Sequence, residues 1–125
     1  MKLTGGQELF AYSLIDPVAE KYRAILQQIP RRRSRPQDIY DLSRLITQEK
    51  MDDDVQMKIL AALKEKSRAR RIEPTRDAFD EPEIRRRSRA NWLSLTLEID
   101  EVPEFDPCFL RVATFYRNLP WQSVP

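Results

Sequence analysis

At 125 residues, with apolar residues making up 41%, the chain can fold one domain around a single modest core. It has no histidine and a single cysteine, Cys108, which excludes Ser-His and Cys-His hydrolases, an internal disulfide and a thiolate zinc site. The formal net charge of +2 is unevenly placed: after Ala90 only Arg111 and Arg117 stand against Glu98, Asp100, Glu101, Glu104 and Asp106, so the earlier part is basic.

Apolar residues recur at helical spacing and the nine prolines fall between the apolar runs. The pattern predicts one mostly α domain over residues 1–125, a compact bundle of about five helices. The only two glycines are Gly5 and Gly6. The short apolar run Leu9–Tyr12 after them is compatible with a short N-terminal strand. Asp16-Pro17 predicts a helix start, with Asp16 as N-cap and Pro17 in the first helical position. Val18, Tyr22, Ile25, Leu26 and Ile29 share one face of that helix, and Pro30 is expected to stop it. Lys21 lies at the edge of the same face, where its stem can pack while its ammonium reaches a cleft.

A basic connector follows from Arg31 to Arg35, and Pro36 opens a second helix with Ile39, Leu42 and Ile46 on its buried stripe and Leu45 beside it. Asp38 lies within the apolar sector and Asp41 borders it; a carboxylate there needs a partner, because burying it unpaired is costly. Read from the residues alone, Asp38 is sooner a first-turn carboxylate stabilised by free N–H groups and the helix dipole than a site residue. Asp52-Asp53-Asp54 precedes the stripe Val55, Ile59, Ala62 and Leu63 and reads as an N-cap, since adjacent side chains at a helix start do not converge on one ion. Lys64 to Arg71 is a basic helix end closed by Pro74. Asp80-Glu81-Pro82 starts a fourth helix expected to carry Ile84, the Arg85–Arg89 cluster, Trp92 and Leu95. Asp106-Pro107 repeats the cap-and-start pair, and a last helix buries Cys108, Val112, Phe115, Tyr116 and Leu119 before Pro120. Cys108 reads as a small core residue, and Trp92 as core too.

The residues left for chemistry (carboxylate, Lys, Arg and Tyr) suit Mg²⁺-dependent phosphoryl or nucleotidyl transfer better than acyl transfer. Val18-Ala-Glu-Lys21-Tyr-Arg-Ala-Ile followed by Arg35-Pro-Gln-Asp38-Ile-Tyr-Asp41-Leu resembles the C-terminal half of the AbiEii/AbiGii-type nucleotidyltransferase toxins, whose pattern runs roughly aeK-x-x-A-l … R-x-x-D-x-y-D-l. The resemblance begins near Tyr12-Ser13-Leu14 and continues loosely through Trp92 and Pro103-Glu-Phe105 to the terminal Phe115 helix. It implies that Lys21 contacts nucleotide phosphates and that Asp38, with Asp41 as its companion, supports the site; these three are the candidate catalytic residues. Members of that family begin with a glycine-containing turn and an Asp-x-Asp pair for catalytic Mg²⁺. Thr4-Gly5-Gly6-Gln7-Glu8 echoes the turn, but no spaced acidic pair follows before Lys21, and no metal-ligand set is assigned here. Mg²⁺ and NTP are therefore expected only in an intact or complemented site and not in the isolated chain, which is not expected to be an efficient transferase.

Two partner classes follow for such a transferase fragment: an N-terminal nucleotidyltransferase half and an antitoxin. The alternative is a non-catalytic helical module that binds RNA or an acidic protein through its arginines, with Arg31, Arg32, Arg33 and Arg35 as the nucleic-acid or phosphate-binding candidates. Against it stands the plain expectation that exposed arginines pair with nearby acids on solvated helix faces. A third possibility is a scaffold that forms a homo-oligomer through the Leu9–Tyr12 segment. No apolar run reaches membrane-spanning length and no secretory segment follows Met1, so the expected location is cytoplasmic, without a membrane partner.

Overall fold

The structure, a computed structural model, describes residues 10–122. Its α-helices are α1 (Ile15–Leu26), α2 (Gln28–Arg31), α3 (Pro36–Gln48), α4 (Asp53–Ala69), α5 (Pro82–Arg89) and α6 (Phe105–Arg117), with 3₁₀ turns at Ala78–Asp80 and Trp92–Leu97. No strand occurs among the described residues, and the helical bundle is as the periodicity predicts.

The suggested strand at Leu9–Tyr12 is corrected: residues 10–13 are helical, while Leu9, like Gly5 and Gly6, lies outside the described residues. With no strand among the described residues to pair with, a helix satisfies this backbone internally. Ala11 is buried in the core, and the Ser13 hydroxyl donates back to the Phe10 carbonyl.

α1 packs along α4, α3 packs along α6, and α1 also meets α3. The apolar stripes predicted for these helices are the ones buried: Val18, Tyr22 and Ile25 on α1, Ile39 and Leu42 on α3, Val55, Ile59 and Leu63 on α4, and Cys108, Val112 and Tyr116 on α6. Tyr22 is the hub. Its ring lies 5.8 Å from Phe79 edge-on, 5.4 Å from Tyr116 and 6.4 Å from Phe115, and its hydroxyl donates to the Val112 carbonyl at 2.8 Å. A second aromatic group joins Trp92 to Phe105 at 5.2 Å and Phe105 to Phe109 at 5.3 Å, and the Trp92 indole donates to the Pro103 carbonyl.

Several helix ends differ from expectation. Asp52 caps α4, accepting from the Val55 N–H at 2.9 Å, and Pro36 and Pro82 sit in the first turns of α3 and α5 as predicted. Asp16 and Asp106, however, are not caps: α1 starts at Ile15 and α6 at Phe105, so each Asp-Pro pair lies inside the first turn. A proline is tolerated there because the first helical N–H groups have no intrahelical partner to lose. Pro30 does not end α1 either; the chain breaks at Gln27 and Pro30 sits within α2. The predicted fourth helix is divided at Asn91, whose φ of 63° reverses the chain before the Trp92 turn.

α2 ends with Arg32 in the left-handed region, φ 52°, while the Arg33 N–H reaches the Gln28 carbonyl and the Arg32 N–H that of Ile29. α4 ends in the same way, with Arg71 left-handed and bonds from Ile72 to Ser67 and from Arg71 to Arg68. This is the Schellman arrangement, with arginine where glycine is usual. Each left-handed arginine costs about 1–2 kcal/mol.

Candidate functional site

Asp38 and Asp41 are three residues apart on α3 and so share one of its faces. That face meets α1 where Lys21 projects. The Lys21 Nζ donates to Asp41 Oδ2 at 2.9 Å and lies 3.4 Å from Asp38 Oδ1. Arg35 Nε donates to the other Asp38 oxygen at 2.7 Å, and Gln37 Nε2 to the other Asp41 oxygen at 3.0 Å. Asp38 is thus partnered by two cations. The three candidate catalytic residues are brought together, and the lysine reaches its acids from a different helix.

The cluster is half-open: the side chains of Lys21, Asp38 and Asp41 retain 26%, 8% and 19% exposure. Burial is the largest single influence on Lys21 and pushes its pKa down. The hydrogen bond and charge of Asp41, joined by those of Asp38, together outweigh it, and the pKa lies above the ordinary lysine value. Lys21 therefore stays an ammonium throughout the neutral range, and one of its three N–H donors is not taken up by these two acids.

The connector between α2 and α3 is bolted in place by Gln28, a fully buried side chain the sequence reasoning missed. Its Oε1 accepts from the Arg35 N–H at 2.8 Å, and its Nε2 donates to Ser88 Oγ at 3.0 Å. The Ser34 hydroxyl faces the Arg87 and Ala90 carbonyls at the end of α5. Gln28→Ala would strand the Arg35 N–H and release the segment that sets Arg35 against Asp38. The expected loss is about 1–3 kcal/mol, read by urea denaturation.

Among the arginines, Arg85 pairs with Asp106, Arg86 and Arg87 pair with Glu83, and Arg89 lies over the Phe105 ring, as ordinary helix-face charges do. Arg31, Arg32 and Arg33 are exposed, and none forms an ion pair among the described residues, whereas Arg35 is committed to Asp38. The two arginine groups differ in that respect.

No group of three or more acidic, histidine or cysteine side chains among the described residues could hold a metal ion. Asp38 and Asp41, engaged by Lys21 and Arg35, do not by themselves fit a catalytic Mg²⁺. No described helix is long and apolar enough to cross a membrane.

The bundle thus holds one lysine against an acidic pair on a neighbouring helix. Residues 2–109 match the family described as Nucleotidyl transferase AbiEii toxin, Type IV TA system, and the chain belongs to that family. No curated protein and no solved structure matches it.

Proposed function

We propose that this chain contributes Lys21, with Asp38 and Asp41 as its anchors, to an NTP site of an AbiEii-type nucleotidyltransferase, and that it is inactive by itself. The observation that carries this is the Lys21–Asp38–Asp41 contact across two helices, which fixes a permanently charged ammonium at a half-open edge. Its remaining donor is free to meet a phosphate oxygen. In the transfer an acceptor attacks the α-phosphorus, the bond to the β-phosphate oxygen breaks, and pyrophosphate leaves. Lys21 would orient the phosphates and offset their charge, while Asp38 and Asp41 hold the lysine in one rotamer. Two cations and two carboxylates make the cluster itself roughly neutral, so the adjoining Arg31, Arg32 and Arg33 would supply the net positive field.

The metal-binding glycine turn and Asp-x-Asp pair would come from outside these 125 residues, and an antitoxin is the expected regulatory partner by family. The test is incubation with α-labelled NTP, Mg²⁺ and RNA, alone and together with a polypeptide that carries the glycine turn and Asp-x-Asp pair. Label transfer only in the mixture is the expected result. No transfer in the mixture overturns the assignment, and transfer by the chain alone overturns the split.

A further inference from the structure

A small cleft separate from the lysine cluster opens between α1 and the basic connector, lined by Arg23, Ala24, Gln27, Arg31, Arg33 and Arg35. Its volume is about 40 Å³, about three times what a single water requires. That suits one tetrahedral oxyanion.

Arg23 forms a built floor. It is only 8% exposed, and its guanidinium is held on the Glu20 carboxylate and the Gln27 side-chain oxygen. Arg35 is held by Asp38. Four guanidinium groups thus line the cleft, and only two carboxylates answer them. Both acids are shared elsewhere, Asp38 with Lys21 and Glu20 with Lys66. Arg31 and Arg33 have no ion-pair partner among the described residues, so the cleft carries an excess of at least two positive charges. The connector backbone is not free to splay apart and relieve that repulsion: Gln28 and Ser34 staple it to α5, and the turn at Arg32 sets the backbone on either side of it.

We infer that this cleft is a binding site for one dianionic phosphoryl group, a phosphate monoester or free phosphate, clamped by Arg31 and Arg33 over Arg23. A doubly charged monoester matches the excess, whereas a phosphodiester with its single charge does not. Arginine forks suit the planar, paired recognition of phosphate oxygens. The inference rests on the positive field proposed above for the connector and adds Arg23, the ligand's charge state and a single-group ligand.

The full chain is titrated calorimetrically with inorganic phosphate, without Mg²⁺ or a partner. One saturable site is expected, with binding weakened about tenfold or more in the Arg31→Ala, Arg33→Ala double variant through loss of charge-assisted hydrogen bonds. Both residues are exposed, and circular dichroism verifies that the double variant is folded. Arg32→Gly, which removes a neighbouring charge outside the cleft and suits the left-handed backbone, is expected to change binding less than threefold or so. Methyl phosphate should bind and dimethyl phosphate should not, and affinity for phosphate should fall between pH 7 and pH 5 as the ligand loses its second charge. A nucleoside monophosphate binding tighter than phosphate means that the group arrives on a nucleotide; equal affinity means free phosphate, and either outcome supports the site. Unchanged binding in the double variant, equal loss in Arg32→Gly, or dimethyl phosphate binding as well as phosphate overturns it. Label transfer is read apart from the phosphate titration, so failure of the transferase assignment and failure of this site are separately visible.

Discussion

Lys21→Met is expected to slow nucleotidyl transfer in the completed enzyme steeply while lowering the stability of the fold by only about 1–2 kcal/mol. The stability change is small because neither acid is left alone. Asp38 keeps the Arg35 Nε at 2.7 Å, and Asp41 keeps the Gln37 amide and a water-accessible edge. Removing one partner of a fully buried pair costs about 3–5 kcal/mol, and exposed pairs are worth about 0–1 kcal/mol; this half-open cluster lies between them. Methionine also keeps the packed stem. The catalytic loss is expected to be about 10²–10³-fold, the scale for removing one oriented donor from developing charge. Lys21→Arg separates the two roles. A guanidinium can still pair with Asp38 and Asp41, restoring stability, but its planar fork cannot repeat the ammonium's geometry, so transfer should stay low. Denaturant midpoints and label-transfer rates on the same three proteins provide the check. Full transfer by Lys21→Met would remove Lys21 from the site.

The ion cluster also fixes a pH direction. Lys21 is raised above the ordinary 10.5 in the folded chain. Its contribution to stability is fully present below that pH and is lost as pH rises through the higher folded value. Nothing at Lys21 predicts a change of stability between pH 6 and 8.

How much of this was legible beforehand depends on the kind of feature. Stripes such as Val18–Tyr22–Ile25 and Ile39–Leu42 are written in the 3.6-residue period, and burial in the bundle follows it. Helix ends were less legible, because an Asp-Pro pair suits both an N-cap with Pro at N1 and the second and third helical positions; only tertiary packing chose the latter for Asp16 and Asp106. The turns at Arg32 and Arg71 were invisible to a rule that looks for glycine after the last helical turn. Asp38 and Asp41 could be placed on one helix face from spacing alone, but the arrival of Lys21 from α1 required the geometry of a helix pair. Gln28 had no local signature: an amide inside a polar-basic stretch reads as surface, and its role depends on Ser88, sixty residues away. Arg23 was missed for a related reason, since arginine on an amphipathic helix is ordinarily solvated.

The largest stability change is expected at Tyr22. Tyr22→Ala removes a fully buried ring that touches Phe79, Phe115 and Tyr116, and should cost about 3–5 kcal/mol, enough to unfold much of a domain of ordinary stability. Tyr22→Phe keeps the ring and loses only the hydroxyl bond to Val112, so a loss of about 1 kcal/mol is expected at neutral pH. The same pair of tyrosines sets the alkaline limit. Burial, with the nearby Tyr116, pushes the Tyr22 pKa well above 10, and burial with the charge of Asp77 raises that of Tyr116. Above pH 10 the unfolded chain has released both phenolic protons while the folded chain keeps them. The unfolded state then binds fewer protons, and stability falls as pH rises, by up to about 1.4 kcal/mol per pH unit for each group. Tyr22→Phe removes one of the two contributions. Its urea stability should therefore start lower at pH 7 yet decline less steeply beyond pH 10 than that of the unaltered chain. Parallel curves above pH 10 would mean that the Tyr22 hydroxyl ionises as freely in the folded core as in the unfolded chain, contradicting its burial against the Val112 carbonyl.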